Sequence, residues 1–130
     1  MSQDSTLLKG IMEHTWRECN ELVSIYDEIS YDEPIKNRLK QQIYMEKIKQ
    51  SDLLYQLYQK EYGEELVNRE EKKGGQPNIG SLIIEEVEYI NNLQIIYNQI
   101  DNSKSQKVMI NLMFIQQQII FKLFSIQAIA

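Results

Sequence analysis

Apolar side chains recur at alternating steps of three and four over four long stretches of this chain. Leu8, Met12, Thr15, Cys19, Leu22, Tyr26 and Ile29 form the first stripe and predict a helix over about residues 5–29. Ser30-Tyr31-Asp32-Glu33 then makes a turn, and Pro34 suits the first position of a second helix. That helix runs to about Tyr62 on a stripe of Ile35, Leu39, Ile43, Glu46, Gln50, Leu53 and Leu57. Gly63 offers a stop, although Glu64 to Lys73 carries charges of both signs and would suit a solvated extension. Gly74-Gly75-Gln76-Pro77-Asn78 breaks any helix. A third stripe is Leu82, Glu86, Tyr89, Leu93, Ile96 or Tyr97, and Ile100. Asp101-Asn102-Ser103 is a tight turn with cap-forming side chains. The fourth helix, about 104–129, is expected to turn Ile110, Met113, Phe114, Gln117, Phe121, Phe124 and Ala128 inward.

The two halves repeat this spacing. Shifted by 71 residues, Leu22 falls on Leu93, Ile29 on Ile100, Leu39 on Ile110, Ile43 on Phe114 and Leu53 on Phe124. The pattern predicts an all-α fold: one four-helix bundle domain over 1–130, built from two repeated helical hairpins. The first hairpin would cover about 5–62 and the second about 81–129, with 63–80 as the long connection.

A second apolar face changes the picture. Tyr44, Ile48 and Tyr55 lie opposite the stripe assigned to helix 2, and Val108, Ile115, Ile119 and Ile126 opposite that of helix 4. A homo-oligomer joined through the outer faces of helices 2 and 4 would cover them; the alternative cover is the 63–80 connection.

Charge and cysteine content narrow the function classes. The net charge is −5 and no basic run offsets it, which argues against nucleic acid as a partner. The single cysteine, Cys19, excludes a disulfide framework and suits a reducing, cytoplasmic setting. Gln116, Gln117, Gln118, Lys122 and Gln127 interrupt the apolar C-terminal stretch, so no run reaches the ~20 residues of a membrane span.

Polar residues on the inner stripes are where chemistry would lie, because a buried carboxylate needs a partner or a metal. Glu46 and Glu86 are such residues, and the repeat matches them with Gln117 and Thr15. Here the chain resembles the ferritin-like superfamily, rubrerythrin-type members included. That resemblance implies a duplicated helical hairpin in which helices 1 and 3 each give a Glu and helices 2 and 4 each give Glu-x-x-His, six ligands holding two iron or manganese ions. Tyr44 to Gly63 resembles the family's second helix, with Glu46-Lys47-Ile48-Lys49 in place of Glu-x-x-His. Helix 4 offers Gln117-Gln118-Ile119-Ile120, helix 1 offers Thr15 and helix 3 keeps Glu86, so two of the six ligand positions survive. Without metals the retained carboxylates would repel one another. A cluster of Glu46, Lys49 and Glu86 with Gln117 is the expected replacement; the simpler alternative sends Lys49 outward to solvent and pairs Glu46 with water.

The remaining candidates carry bland readings. His14, the sole histidine, sits off the inner stripe and is expected to face solvent. Cys19 reads as an inert core thiol. Gly74-Gly75 lacks the strand and the Gly-Lys-Ser/Thr of a phosphate loop. The functional expectation is a non-catalytic, cofactor-free bundle with a degenerate metal site, acting as a structural or protein-interaction module. Its rivals are a metal-binding ferritin-like oxidoreductase or iron-handling protein using Glu46, Glu86 and His14, and a small-ligand binder with a central pocket lined by Met113, Phe114, Phe121 and Phe124.

Overall fold

Four helices account for the described chain: α1 (Ser2–Glu28), α2 (Pro34–Tyr62), α3 (Ile79–Gln99) and α4 (Ser103–Ala128). The structure is a computed structural model and describes residues 2–67 and 77–129, with side chains from residue 6 onward. No strand occurs among the described residues.

The helix ends follow local chemistry. Glu33 caps α2, its Oε2 accepting from the Lys36 N–H at 2.9 Å, with Pro34 at the first helical position. Gly63 stops α2 in the left-handed region at φ 64°, where its N–H donates to the Gln59 carbonyl at 2.7 Å. Residues 63–67 are therefore not a helical extension of α2; the rest of the possible extension, 68–73, lies outside the described residues. Asn78 caps α3 through the Ser81 N–H at 2.8 Å. Asn102 caps α4 through the N–H groups of Lys104 and Ser105.

Helix directions follow from which residues meet. Tyr26 reaches Glu86 and Glu18 reaches Asn92, so α1 and α3 are antiparallel. Glu61 meets Ser105 and Glu46 meets Lys122, so α2 and α4 are antiparallel as well. With each hairpin antiparallel, α2 and α3 run the same way and the 63–78 link joins opposite ends of the bundle. α1 packs on α2 and α3, and α4 packs on α2 and α3. The pairs α1/α4 and α2/α3 are diagonals.

The expected stripes of α1 and α3 are buried in full, from Leu8 to Ile29 and from Leu82 to Ile100, with Ile96 rather than Tyr97 inside. Those of α2 and α4 need correction. In α2 the buried line is Lys40, Ile43, Lys47, Gln50, Leu54, Leu57 and Tyr58. Ile35 is exposed, and Glu46 and Leu53 are half-buried. In α4 the buried face is Ser105, Met109, Leu112, Ile115, Gln116, Ile119, Leu123 and Ile126. Ile110, Phe114, Phe121 and Phe124 face outward. For α4 the reason is a difference in turn length; in α2 two equally regular lines of residues compete for the inner face. Five residues, 29–33, join α1 to α2, but only three, 100–102, join α3 to α4. The 71-residue offset holds for Thr15/Glu86, Leu22/Leu93 and Ile29/Ile100; beyond the shorter turn the buried positions match at 69, as Ile43/Leu112, Lys47/Gln116 and Leu54/Leu123 do. Two residues at ~100° each rotate a helix by about 200°, which presents its other face.

Candidate functional site

A polar layer crosses the middle of the bundle and divides its apolar interior. On one side lie Leu8, Met12, Trp16, Leu54, Tyr58 and Met109 among others; on the other lie Leu22, Ile43, Leu82, Ile119 and Leu123. Between them Lys47 of α2 and Glu86 of α3 meet across the diagonal, Nζ to Oε1 2.9 Å, both with 0% side-chain exposure.

Each oxygen of Glu86 is satisfied. Oε1 accepts from Lys47 Nζ and from Gln116 Nε2, each at 2.9 Å; Oε2 accepts from the Tyr26 hydroxyl at 2.8 Å. Gln116 Nε2 also donates to the Glu86 carbonyl at 2.9 Å. Gln116 Oε1 accepts from Gln50 Nε2 at 2.9 Å and from Lys47 Nζ at 3.4 Å. Gln50 Nε2 donates further to the Leu112 carbonyl at 3.2 Å. The Lys47 ammonium also stands over the Tyr89 ring, 3.8 Å from its centroid. Cys19 Sγ donates to the Lys47 carbonyl at 3.4 Å. One network thus draws on all four helices.

Burial shapes the acidities around it. Desolvation pushes the Tyr26 phenol far up, and the neighbouring Glu86 carboxylate adds to that. The Tyr89 phenol is raised well above its ordinary value, first by burial and then by Cys19 and Glu86. Burial raises the Cys19 thiol, with Lys47 opposing. Glu18 is raised by desolvation, against the pull of His14 and Lys47.

The sequence-derived candidates are placed as follows. Glu86 is central and fully buried, and Thr15 is buried too, its hydroxyl donating to the Ile11 carbonyl at 2.7 Å. Glu46 is half-buried at the α2/α4 edge and pairs with Lys122, away from Glu86. Lys49 and Gln117 are exposed. The expected Glu46–Lys49–Glu86–Gln117 cluster is therefore corrected to Lys47–Glu86–Gln116 with Gln50 and Tyr26. In α2 the spacing does not decide: Ile43, Lys47, Gln50, Leu54 and Leu57 step by four, three, four and three, and Ile43, Glu46, Gln50, Leu53 and Leu57 step as regularly by three, four, three and four. In α4 it does not decide either, because apolar residues occupy both faces.

Of the expected interface residues, Ile115, Ile119 and Ile126 belong to the core and not to an outer face. Tyr44, Ile48, Tyr55 and Val108 are half-buried; Tyr55 lies against Trp16 of α1, ring centroids 5.8 Å apart, and Val108 packs on the same apolar cluster. His14 is exposed, 3.4 Å from Glu18, beside a groove of about 790 Å³ between α1 and α3 lined by Leu7, Ile11, Asn92 and Ile95. Phe114, Phe121 and Phe124 line no central pocket; they lie outside the bundle.

The interior does not fit a di-metal centre. Its donors are one carboxylate, amides, the phenols of Tyr26 and Tyr89 and the Cys19 thiol, and an ammonium already occupies the carboxylate. Among the described residues no group of three or more His, Cys, Asp or Glu side chains converges on a point that could hold a metal ion. α4 is long and apolar enough, by length and composition alone, to cross a membrane, with 39% of the qualifying window buried inside the bundle. The fold and the site thus define a helical bundle closed around a buried ion pair. Comparison with family models, with curated proteins and with solved structures found no match to this chain.

Proposed function

We propose that this chain is a non-catalytic, ferritin-like four-helix bundle in which an internal ion pair stands where related bundles hold two metals, and that it serves as a structural or protein-interaction module. The observation that carries this reading is the contact of Lys47 with Glu86 at the bundle centre, both without solvent exposure. A single ammonium supplies the positive charge that a buried carboxylate requires, and Gln116, Gln50 and Tyr26 complete the hydrogen bonding that makes such a pair tolerable in a low-dielectric interior. The antiparallel α1/α3 and α2/α4 pairs with one long crossover agree with a ferritin-like topology built from two hairpins. Linking α2 to α3 across the diagonal would fix the relative height of the two hairpins, a specificity role of the kind buried polar groups fill elsewhere.

Elemental analysis of protein purified without chelators, followed by an optical titration with ferrous iron, tests this. The expected result is less than stoichiometric iron and manganese and no saturable ferrous signal. Two tightly held iron or manganese ions per chain would overturn the reading in favour of an oxidoreductase or iron-handling protein.

A further inference from the structure

The outer face of α4 carries an apolar stripe that the bundle leaves uncovered. Ile110, Phe114, Phe121 and Phe124 are 52%, 59%, 70% and 51% exposed. With Gln117 between them they step by four, three, four and three, the 3.5-residue spacing of a helix–helix seam. The spacing is also nearly palindromic. Reversed about Gln117, Ile110 falls on Phe124, Phe114 on Ile120 and Met113 on Phe121, so apolar positions fall on apolar positions. A surface with that property is complementary to itself in the antiparallel sense, which is what a twofold interface demands.

Charge selects the same orientation. α4 contains no acidic residue, carries Lys104 and Lys107 near its N-terminus and has no basic residue in its last turn. Its own dipole is positive at the lysine end. Parallel pairing would set the lysines of two copies side by side. Antiparallel pairing sets them against the bare, partially negative C-terminal end of the other helix.

Area fits as well. Taking roughly 200 Å² for a fully exposed phenylalanine, the four apolar side chains present about 450 Å² per copy. Self-docking would bury about 900 Å² through these residues alone, against roughly 1,200 Å² for a small stable interface. Met113, Gln117 and Ser125 flank the stripe and extend the contact toward that area.

We propose that the chain forms a twofold dimer in which two copies lay their α4 helices antiparallel along Ile110, Phe114, Phe121 and Phe124, with Gln117 on the axis. The two Gln117 amides face one another there, and a single polar pair in an apolar seam fixes its register. This rests on the reading of the chain as an association module, but metal content and oligomeric state are separate measurements, so either can fail without the other.

Sedimentation equilibrium and thiol cross-linking test it. The wild-type chain is expected to dimerise in the micromolar range. Phe114→Glu and Phe121→Glu are each expected to weaken association at least ~100-fold, since each removes a buried aromatic twice per dimer, and to leave the helical circular dichroism unchanged. Gln117→Cys should give a covalent dimer on mild oxidation. Ile110→Cys should not cross-link to itself, yet should cross-link when mixed with Phe124→Cys. Buried Cys19 does not compete in this assay. The proposal is overturned by a wild-type chain that stays monomeric, by association that survives both Phe changes, or by self-cross-linking of Ile110→Cys, which marks a parallel seam. Binding of monomeric protein to neutral phosphatidylcholine vesicles, lost on Phe121→Glu, would also overturn it by assigning the stripe to a lipid surface.

Discussion

Lys47 and Glu86 face each other across the α2/α3 diagonal at 2.9 Å, although these two helices are not packing neighbours. The pair is reached only because both side chains extend into the bundle centre, where Gln116 and Tyr26 close the remaining hydrogen bonds of the carboxylate. Its geometry makes the contribution of either partner conditional on the other.

Removing one partner strands a buried charge, whereas removing both does not. Lys47→Met alone is expected to lower the unfolding free energy by ~3–5 kcal/mol. Glu86→Gln alone should also be costly, because the ammonium then lacks its counter-charge. The double variant Lys47→Met/Glu86→Gln should lose less than Lys47→Met alone, since the amide introduced on α3 can still accept from the Tyr26 hydroxyl. Urea denaturation of the three variants checks this; additive losses would show that the charges are independent.

The register of α4 can be read from two neighbouring positions. Ile119 is fully buried and Phe121 is 70% exposed. Ile119→Ala is expected to cost about 2–5 kcal/mol. Phe121→Ala should stay within roughly 0.5 kcal/mol in the monomer. Denaturation at concentrations low enough to exclude association measures both, and the reverse ranking would return α4 to the opposite face.

Gly63 ends α2 at a positive φ of 64° with open space around a would-be Cβ, so the cost of a side chain there is conformational and not a clash. Gly63→Ala is expected to destabilise by about 1–2 kcal/mol. Gly63→Asn should cost less, since asparagine tolerates this region. Thermal unfolding of the two variants gives the comparison.

The buried phenols make the fold sensitive to alkali. Tyr26 and Tyr89 are acids whose folded-state values are raised by burial, with Glu86 contributing to both. In the unfolded chain they ionise near pH ~10, while the folded chain keeps them protonated. The folded state then binds more protons, so stability is unaffected below that range and falls as pH rises through it. Absorbance at 295 nm should show these two of the eight tyrosines ionising only together with the loss of helical signal. Titration of all eight before unfolding would contradict their burial.

Local chemistry settled much of this molecule in advance. Pro34, Gly63, Asn78 and Asn102 mark helix ends by their own conformational and hydrogen-bonding preferences. In α1 and α3 the spacing named the buried residues, Glu86 included; the further apolar side chains Ile84, Val87 and Ile95 of α3 lie exposed. What spacing leaves open is which face of a helix turns inward when both are apolar. α4 offers Ile115, Ile119 and Ile126 on one side and Phe114, Phe121 and Phe124 on the other, and a two-residue difference in turn length decides between them. The same ambiguity hid Lys47 behind Glu46 and Lys49, because a lysine reads as a surface residue until a carboxylate from a diagonal helix is brought to it. That encounter depends on how four helices are set side by side, a long-range arrangement that no local periodicity encodes.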